Sequence, residues 1–424
     1  MTTQMIIALV IVVLMIAMIM SDKFSFGAPP LLACALLVVT GVSTIQDAFA
    51  GFIDSNVIMI AGFMAVMAGL QKTRFMGQLK AVMAKVAAKG GFKAYALLVV
   101  VVMVGASLLS GTTGYYVMII TLASTIPYNK GLPNSKLLMP LGFATCRTLI
   151  PINVAFFVGL TCSVLESTGV TDSVSTVKFG GMIAFMSVAY LIWALVAYKF
   201  LPDYDITVNN DNLPESVENE VTLPLWKEIV TYIAFAASVI GMMFASSLGE
   251  IAYILPCVAT AVLCLIKVFD FKEARANLFS PLIIMMASVI GVANALANTG
   301  FTAMIGESVA NVLGANVNGF ILVLVFCLLT SACATLTGSS IGSVFIFAPI
   351  GIATCVSLGL NPIAMAAGVT VSAWGGGFLP IDGCPAMILG IGKYKLSQFF
   401  KFAVPMYLIQ ILGLAIGAAV MFPM

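Results

Sequence analysis

Apolar runs of about 20 residues fill most of this chain and constrain its fold more strongly than any motif. A bilayer core of roughly 30 Å is crossed by about 20 helical residues, so each run fits one membrane span. Ten whole spans are predicted at residues 5–21, 28–44, 55–71, 136–165, 179–200, 229–248, 251–268, 280–298, 361–392 and 402–422. Hydrophobic residues make up 61% of the 424 and charged residues 8%, which is too apolar for a soluble domain. The sequence therefore predicts an all-α polytopic membrane protein.

Two further apolar stretches, 94–127 and 317–350, are too long for one span and too short for two. Polar patches interrupt them: Ser110, Gly111, Thr112 and Thr113 in the first, and Thr337, Gly338, Ser339 and Ser340 in the second. Non-helical backbone is tolerated at membrane depth only against protein or beside a wet cavity. We therefore predict two re-entrant hairpins of half-length helices, with tips that face a polar cavity.

Two of the predicted spans are interrupted as well, at GFATCRTLIPIN (142–153) and at AWGGGFLPIDGCP (373–385). Proline removes a backbone donor and glycine weakens a helix, so both spans are expected to break inside the membrane. Each half of the chain thus contributes one hairpin and one broken helix.

The two halves follow the same order of span, arm, hairpin and broken span. QDAFAGF (46–52) aligns with KEARANL (272–278) at an offset of 226 residues. We predict two inverted repeats of five spans each, at 1–200 and 229–424, joined by a solvated cytoplasmic linker at 201–228. This is the plan of secondary transporters, whose binding sites lie near the midplane at discontinuous helices.

Lysine and arginine residues give the orientation, because they are enriched in cytoplasmic loops. The basic clusters comprise Lys72, Arg74, Lys80, Lys85, Lys89, Lys93, Lys130, Lys136, Lys267, Lys272, Arg275, Lys393, Lys395 and Lys401. All of them fall on one side when the spans are counted, so we predict that this side is cytoplasmic and that both termini lie outside. The first hairpin then enters from the cytoplasm and the second from the outside.

This pattern resembles the divalent anion/sodium symporter family of the ion transporter superfamily. The resemblance rests on residues 43–75, on the two hairpin tips, on LLMPLGFATCRTLIPIN (137–153) and on LPIDGCPAMILG (379–390). It implies an elevator mechanism, a homodimer and a location in the cytoplasmic (inner) membrane. Family members carry a Ser-Asn-Thr triplet at each tip, where hydroxyls meet a substrate carboxylate and the asparagine helps to hold sodium. In this chain glycine replaces both asparagines, at Gly111 and Gly338.

The predicted substrate site consists of hydroxyls and helix ends at the hairpin tips, together with one guanidinium. Half-helix N-termini offer free N–H groups and partial positive charge, which suit an anion. The residues assigned are Ser110, Gly111, Thr112, Thr113, Arg147, Thr337, Gly338, Ser339 and Ser340. The alternative is that small residues at the tips only allow close helix packing.

Arg147 and Asp382 are the two charges placed deep inside apolar spans, where charges are expensive and usually functional or paired. In one interpretation Arg147 binds the substrate through its planar fork of donors while Asp382 holds a coupling cation. In the other, the two form a structural ion pair. The predicted cation ligands are Asp382, Asn153 and the backbone at Gly111 and Gly338; Asn153 alternatively caps the following half-helix.

These features favour a secondary active transporter for a small anion, such as a dicarboxylate, driven by a sodium gradient. A proton-coupled or uncoupled oxyanion exporter or exchanger, or an ion antiporter, is the alternative. A channel would show a ring of like charge, and an intramembrane enzyme would need catalytic groups that a chain without histidine lacks. We expect no cofactor or nucleic-acid partner, no metal beyond sodium, and contact with the lipid bilayer.

Overall fold

The computed structural model describes most of the chain in detail. The described residues are 2–20, 24, 27–109, 113–125, 132–150, 154–170, 173–204, 206, 223–243, 248–301, 304, 318–337, 340–380 and 383–424. Their regular secondary structure is entirely helical. This confirms the predicted all-α class for the part of the chain that is described.

Helices of the first half follow the predicted order. They are α1 (Thr3–Met20), α2 (Ala28–Val39), α3 (Ile45–Ala48), a 3-10 turn (Ala50–Ile53), α4 (Ser55–Gln71), α5 (Phe75–Ala87), α6 (Gly91–Leu109), α7 (Thr113–Thr125), α8 (Asn134–Ala144), α9 (Ala155–Ser167) and α10 (Thr176–Ala197). The arm between α4 and α6 is the helix α5. The predicted span 136–165 is divided into α8 and α9, as its proline-containing interruption predicts.

Helices of the second half repeat this order. They are α11 (Leu225–Met243), α12 (Glu250–Leu265), α13 (Phe271–Leu278), α14 (Pro281–Asn298), α15 (Gly319–Thr337), α16 (Ser340–Ser357), α17 (Pro362–Ser372), α18 (Gly383–Gly392) and α19 (Leu396–Met421). The predicted span 361–392 is divided into α17 and α18.

Helix lengths differ from the prediction in two respects. Among the described residues, five helices are long and apolar enough to cross a membrane (α6, α10, α15, α16 and α19), and the bent pair α13–α14 makes a sixth. Three hairpin arms are longer than the half-length helices predicted, since α6 and α15 have 19 residues each and α16 has 18, whereas α7 has 13. A helix of 18 residues is about 27 Å long. The internal Pro349 does not end α16, which continues past residue 350 to Ser357.

Packing divides the helices into two groups. The first helix group contains α1–α4 and α11–α14, in which α4 packs on α12 and α2 packs on α14. The second helix group contains α6–α10 and α15–α19, in which α10 packs on α19 and each hairpin packs on the broken helix of its own half. By position along the chain, α2 of the first half is equivalent to α12 of the second, and α4 is equivalent to α14. The α4–α12 contact is therefore equivalent to the α14–α2 contact.

One pair of hydrogen bonds follows this exchange residue by residue. The Cys34 thiol on α2 donates to the Ser288 carbonyl on α14 at 3.0 Å. The Thr260 hydroxyl on α12 donates to the Gly62 carbonyl on α4 at 2.9 Å. Thr260 lies 226 positions after Cys34, and Ser288 lies 226 positions after Gly62. This is the offset found in the sequence alignment. The same bridge therefore occurs twice with the halves exchanged.

The last helices of the two halves, α10 and α19, pack in antiparallel directions. Positions 181, 185 and 189 of α10 face positions 421, 417 and 413 of α19. Gly417 permits this contact, because a Cβ there would lie 2.7 Å from the Met182 carbonyl oxygen. Equivalent helices of the two halves thus run in opposite directions at this interface.

Several segments that the sequence analysis assigned to the cytoplasmic side contact one another. Lys72 Nζ is 2.5 Å from Glu273 Oε2, and Lys136 Nζ is 3.4 Å from Asp203 Oδ2. The Tyr204 hydroxyl donates to the Gly392 carbonyl at 2.7 Å. Burial raises the pKa of Tyr204 to about 12, so this hydroxyl remains a donor at neutral pH.

Only the two ends of the linker predicted at 201–228 are described, and its C-terminal end lies in a helix. Helix α11 begins at Leu225, inside the predicted linker, and Glu228 is buried in its first turn. Glu228 Oε1 accepts from the backbone N–H of Arg74 and lies 3.3 Å from Arg74 Nε. A buried carboxylate needs such partners. No local sequence pattern predicts the pairing of Glu228 with Arg74, which lies 154 positions away.

Labelling from each side of the membrane tests the predicted orientation. Lys89 and Ser357 are exposed residues just after α5 and at the end of α16. We expect a membrane-impermeant maleimide on sealed, right-side-out vesicles to modify Ser357→Cys and to leave Lys89→Cys unmodified until the vesicles are opened. Mass spectrometry of each labelled peptide separates these positions from the native cysteines. Labelling with the opposite sidedness would contradict the orientation.

Candidate functional site

The interruption of the first broken helix is held against the first hairpin by backbone hydrogen bonds. Helix α8 ends at Ala144 and α9 begins at Ala155. We call residues 145–150, the described part of this interruption, the first segment. Its Leu149 N–H donates to the Met103 carbonyl of α6, and its Ile150 N–H donates to the Ser107 hydroxyl at 2.9 Å. The non-helical backbone is therefore satisfied by protein, as membrane depth requires.

The interruption of the second broken helix packs in the same way against the second hairpin. We call residues 373–380 the second segment; they lie between α17 and α18. The Ser340 hydroxyl, at the start of α16, donates to the Ala373 carbonyl at 3.1 Å. Gly376 packs directly against the Thr335 side chain of α15, and Gly377 has a φ of +90°. Glycine suits both positions, since a Cβ would clash at the first and strain the backbone at the second.

Arg147 joins the two segments. Its side chain is buried, with 4% of the residue exposed. Nη1 donates to the Cys146 carbonyl at 3.0 Å and to the Trp374 carbonyl of the second segment at 3.3 Å. Nε donates at 2.8 Å to Oε1 of Gln410, a fully buried residue of α19. A guanidinium therefore lies where the helix interruptions of the two halves meet.

Aromatic packing closes the junction on one side. The Trp374 ring contacts the rings of Phe156 and Phe157, at the start of α9, with centroid distances of 5.4 and 5.2 Å and nearly perpendicular planes. Such edge-to-face contacts add specific geometry to apolar burial. The second segment of one half is thus fixed to the broken helix of the other half.

Two buried hydroxyls near the helix interruptions have no hydrogen-bond partner within the described part of the chain. They belong to Thr148, beside Arg147 in the first segment, and to Thr370, close to the end of α17. An unsatisfied buried hydroxyl costs roughly 1–3 kcal/mol, so such groups call for an explanation. Hydroxyls at these positions offer polar contacts to a bound anion or ion.

One face of the first segment is open. Cys146 is exposed, whereas the other cysteines among the described residues are buried or half-buried. Ile150, at the far end of the segment, is 47% exposed. The first segment is therefore accessible at Cys146 and at Ile150.

The structure brings together some of the predicted site residues. Arg147 and Ser340 both contact the second segment. Thr113 begins α7 and Thr337 ends α15, which places them at the hairpin tips. Ser110, Gly111, Thr112, Asn153, Gly338, Ser339 and Asp382 lie outside the described residues, so their assigned roles stay predictions.

Three residues of the junction were not predicted: Gln410, Trp374 and Thr148. Gln410 carried a signal, because it is the only amide in the apolar run 402–422. The prediction considered charges alone inside spans and therefore passed over it. Among the described residues, no group of three or more His, Cys, Asp or Glu could hold a metal ion.

Comparison with curated proteins finds transporters. The chain is 30% identical over 132 residues to the uncharacterized transporter sll0640 of Synechocystis sp., covering 31% of this chain and 21% of that protein. It is 26% identical over 171 residues to the uncharacterized transporter YfbS of Escherichia coli, covering 39% of this chain and 28% of that protein. The matched parts thus span only about a quarter of the relatives' lengths.

Two solved transporters share the fold. The crystal structure of the YdaH transporter of Alcanivorax borkumensis, reported to have an unusual topology, has a TM-score of 0.65 at 16% identity, covering 89% of this chain and 87% of that one. MtrF of Neisseria gonorrhoeae, described within a class of antimetabolite efflux pumps, has a TM-score of 0.62 at 12% identity, covering 91% and 84%. At these identities the likeness concerns the fold alone.

A family model described as citrate transporter matches residues 13–335, more than half of the chain. This confirms the resemblance to the divalent anion symporters of the ion transporter superfamily. It also supports the interpretation of the chain as a multi-pass membrane protein of a transporter family, and not of an enzyme family. The chain therefore belongs to the citrate transporter family.

Proposed function

We propose that this protein carries citrate, or a related di- or tricarboxylate, across the cytoplasmic membrane and is driven by a sodium gradient. The observation that carries the proposal is the buried Arg147 guanidinium, placed where the interrupted helices of both halves meet. Arginine matches carboxylate geometry through its planar donors. Hydroxyls at the hairpin tips, which include Ser340, add neutral donors around it.

We infer that the two halves form an inverted repeat. The antiparallel contact of α10 with α19 supports opposite orientations, and the exchanged hydrogen bonds of Cys34 and Thr260 support a common ancestral unit. In transporters built this way the site lies at discontinuous helices near the midplane. The junction of the two segments fits that position.

An elevator movement is supported by one asymmetry between the halves. Helices α9 and α18 pack alike within the second helix group, α9 against α16 and α17 and α18 against α7 and α8. Among the described residues, α9 also packs against α4 and α14 of the first helix group, and α18 has no comparable contact there. In the opposite state, the exchange of halves predicts that α18 approaches α14 and α4 while α9 is released. With the predicted orientation, α9 is the outer half of its span, and its contact with the first helix group therefore corresponds to an inward-facing state. The scaffold proposed for the movement is a homodimer of the first helix group.

Sodium is proposed as the coupling ion. The ligands that we propose are those predicted from the sequence: backbone carbonyls at Gly111 and Gly338, together with Asn153 and Asp382. Oxygen ligands of this kind hold sodium in transporters. We expect proteoliposomes to accumulate radiolabelled citrate under an inward sodium gradient. Replacing sodium by choline or potassium should reduce initial uptake at least about tenfold, a loss of 1.4 kcal/mol or more. Full uptake without sodium would contradict this part of the proposal.

Proton-coupled or uncoupled export is the second candidate, favoured by the two glycines that stand where symporters have asparagine. The fold similarity to an efflux pump is compatible with it. The same vesicles distinguish the two candidates. Citrate movement that follows an imposed proton gradient, with sodium absent on both sides, would replace sodium symport by this alternative.

A further inference from the structure

A buried glutamine on α19 contacts both segments at once. Gln410 Oε1 accepts the Nε–H of Arg147 in the first segment at 2.8 Å. Gln410 Nε2 donates to the Gly375 carbonyl in the second segment. The residue is fully buried near the middle of the 26-residue helix α19. One side chain thus connects interruptions that come from different halves of the chain.

The chemistry of these partners fixes the orientation of the amide. Arginine can only donate and a backbone carbonyl can only accept, so the amide oxygen must face Arg147 and the amide nitrogen must face Gly375. A carboxylate could accept from Arg147 but could not donate to Gly375. A hydroxyl is too short to reach both partners. Glutamine also carries no charge, so this contact does not neutralise the guanidinium.

We propose that Gln410 is a positioning residue of the anion site. Its amide orients the Arg147 guanidinium and holds the backbone of Trp374 and Gly375 against it, while leaving the positive charge of Arg147 for the substrate. The inference rests on the proposed function, because it takes Arg147 as the group that meets the substrate anion.

A purely structural role of Gln410 makes different predictions. If the residue only tied helices together, Gln410→Met would lower the thermal midpoint and leave the citrate affinity of the folded protein unchanged. As a positioning residue, the same variant weakens citrate binding, because it removes both hydrogen bonds at similar volume and leaves Arg147 unoriented. Gln410→Glu should weaken binding as well, because the new carboxylate neutralises Arg147 and loses the donor to Gly375.

The test compares Gln410→Glu and Gln410→Met with Gln398→Met, a matched change near the start of the same helix. Three quantities are measured on detergent-purified protein: the thermal unfolding midpoint, the citrate dissociation constant, and the maleimide reaction rate of Cys146, read on its peptide. We expect both Gln410 variants to remain folded and to bind citrate at least about tenfold more weakly, as expected for losing a hydrogen bond to a charged group. Gln398 Oε1 accepts from the Lys395 N–H at 2.9 Å, so Gln398→Met should lower the thermal midpoint slightly. It should match the wild type in citrate affinity and in the Cys146 rate.

Wild-type affinity in either folded Gln410 variant would overturn the positioning role. If the wild-type protein binds no citrate, the proposed substrate fails, and the Cys146 rate still tests the inference because it needs no substrate. Arg147 donates to the Cys146 carbonyl, so releasing the guanidinium should change that rate at least about threefold in Gln410→Met. An unchanged rate in that variant would refute the inference independently of citrate.

Discussion

Replacing Arg147 by glutamine is expected to reduce citrate uptake at least about 100-fold while the protein remains folded. Hydrogen bonds to charged groups are each worth about 1.5–3 kcal/mol, and the variant loses both the charge and the fork that meet the anion. Arg147→Lys keeps the charge without the fork, so it should weaken citrate affinity and retain slow transport. Initial uptake rates in proteoliposomes at several citrate concentrations measure both effects.

The structural alternative for Arg147 has its own signature. If Arg147→Gln prevents folding, and a second change of Asp382→Asn restores both folding and normal citrate affinity, the arginine belongs to an ion pair and not to the substrate site. Elution profiles on gel filtration report folding separately from transport. Normal uptake by folded Arg147→Gln protein would equally remove Arg147 from the site.

Replacing Gly417 by leucine is expected to prevent correct assembly of the second helix group. A Cβ at this position lies 2.7 Å from the Met182 carbonyl oxygen and 3.0 Å from the Phe185 Cβ, both on α10. Backbone cannot yield as a flexible side chain can, and overpacking by even a few atoms typically costs about 1–3 kcal/mol. We expect aggregation on gel filtration, or a thermal midpoint lower by about 3 °C or more.

Gly390 provides the matched control for this change. It is an exposed residue of α18, and a Cβ there meets nothing within 4 Å. Gly390→Leu should leave the thermal midpoint unchanged or raise it, since leucine is a better helix former than glycine by roughly 0.8 kcal/mol. Equal tolerance of leucine at both positions would contradict the close packing of α10 with α19.

Local sequence signals predicted much of the fold. Pro151 and the Gly375–Gly377 run marked the interruptions of both broken helices, because their effect on a helix acts within a few residues. The clustering of basic residues correctly grouped Lys72 with the 267–275 region, where Glu273 now pairs with it. Element order along the chain was sufficient to align the halves at the offset that Cys34 and Thr260 reproduce.

Hydrogen bonds between residues far apart along the chain could not be predicted from the sequence. Gln410 lies 263 positions from Arg147, and Glu228 lies 154 positions from Arg74. Both pairs arise from helix packing and leave no periodic or local pattern. The lengths of α6, α15 and α16 were also missed, because the prediction divided each apolar stretch at its polar patch into two half-length helices.

The central claim is that an anion binds at the junction of the two segments, beside Arg147. Cys146 is an exposed native thiol next to that guanidinium. The most direct measurement is the maleimide reaction rate of Cys146 in purified wild-type protein, with and without citrate, at constant ionic strength. Citrate should slow the reaction at least about fivefold, as expected when a saturating ligand covers the thiol, and should have no effect in folded Arg147→Gln protein. A Cys146 rate that citrate leaves unchanged, in protein that transports citrate, would show that the substrate binds elsewhere.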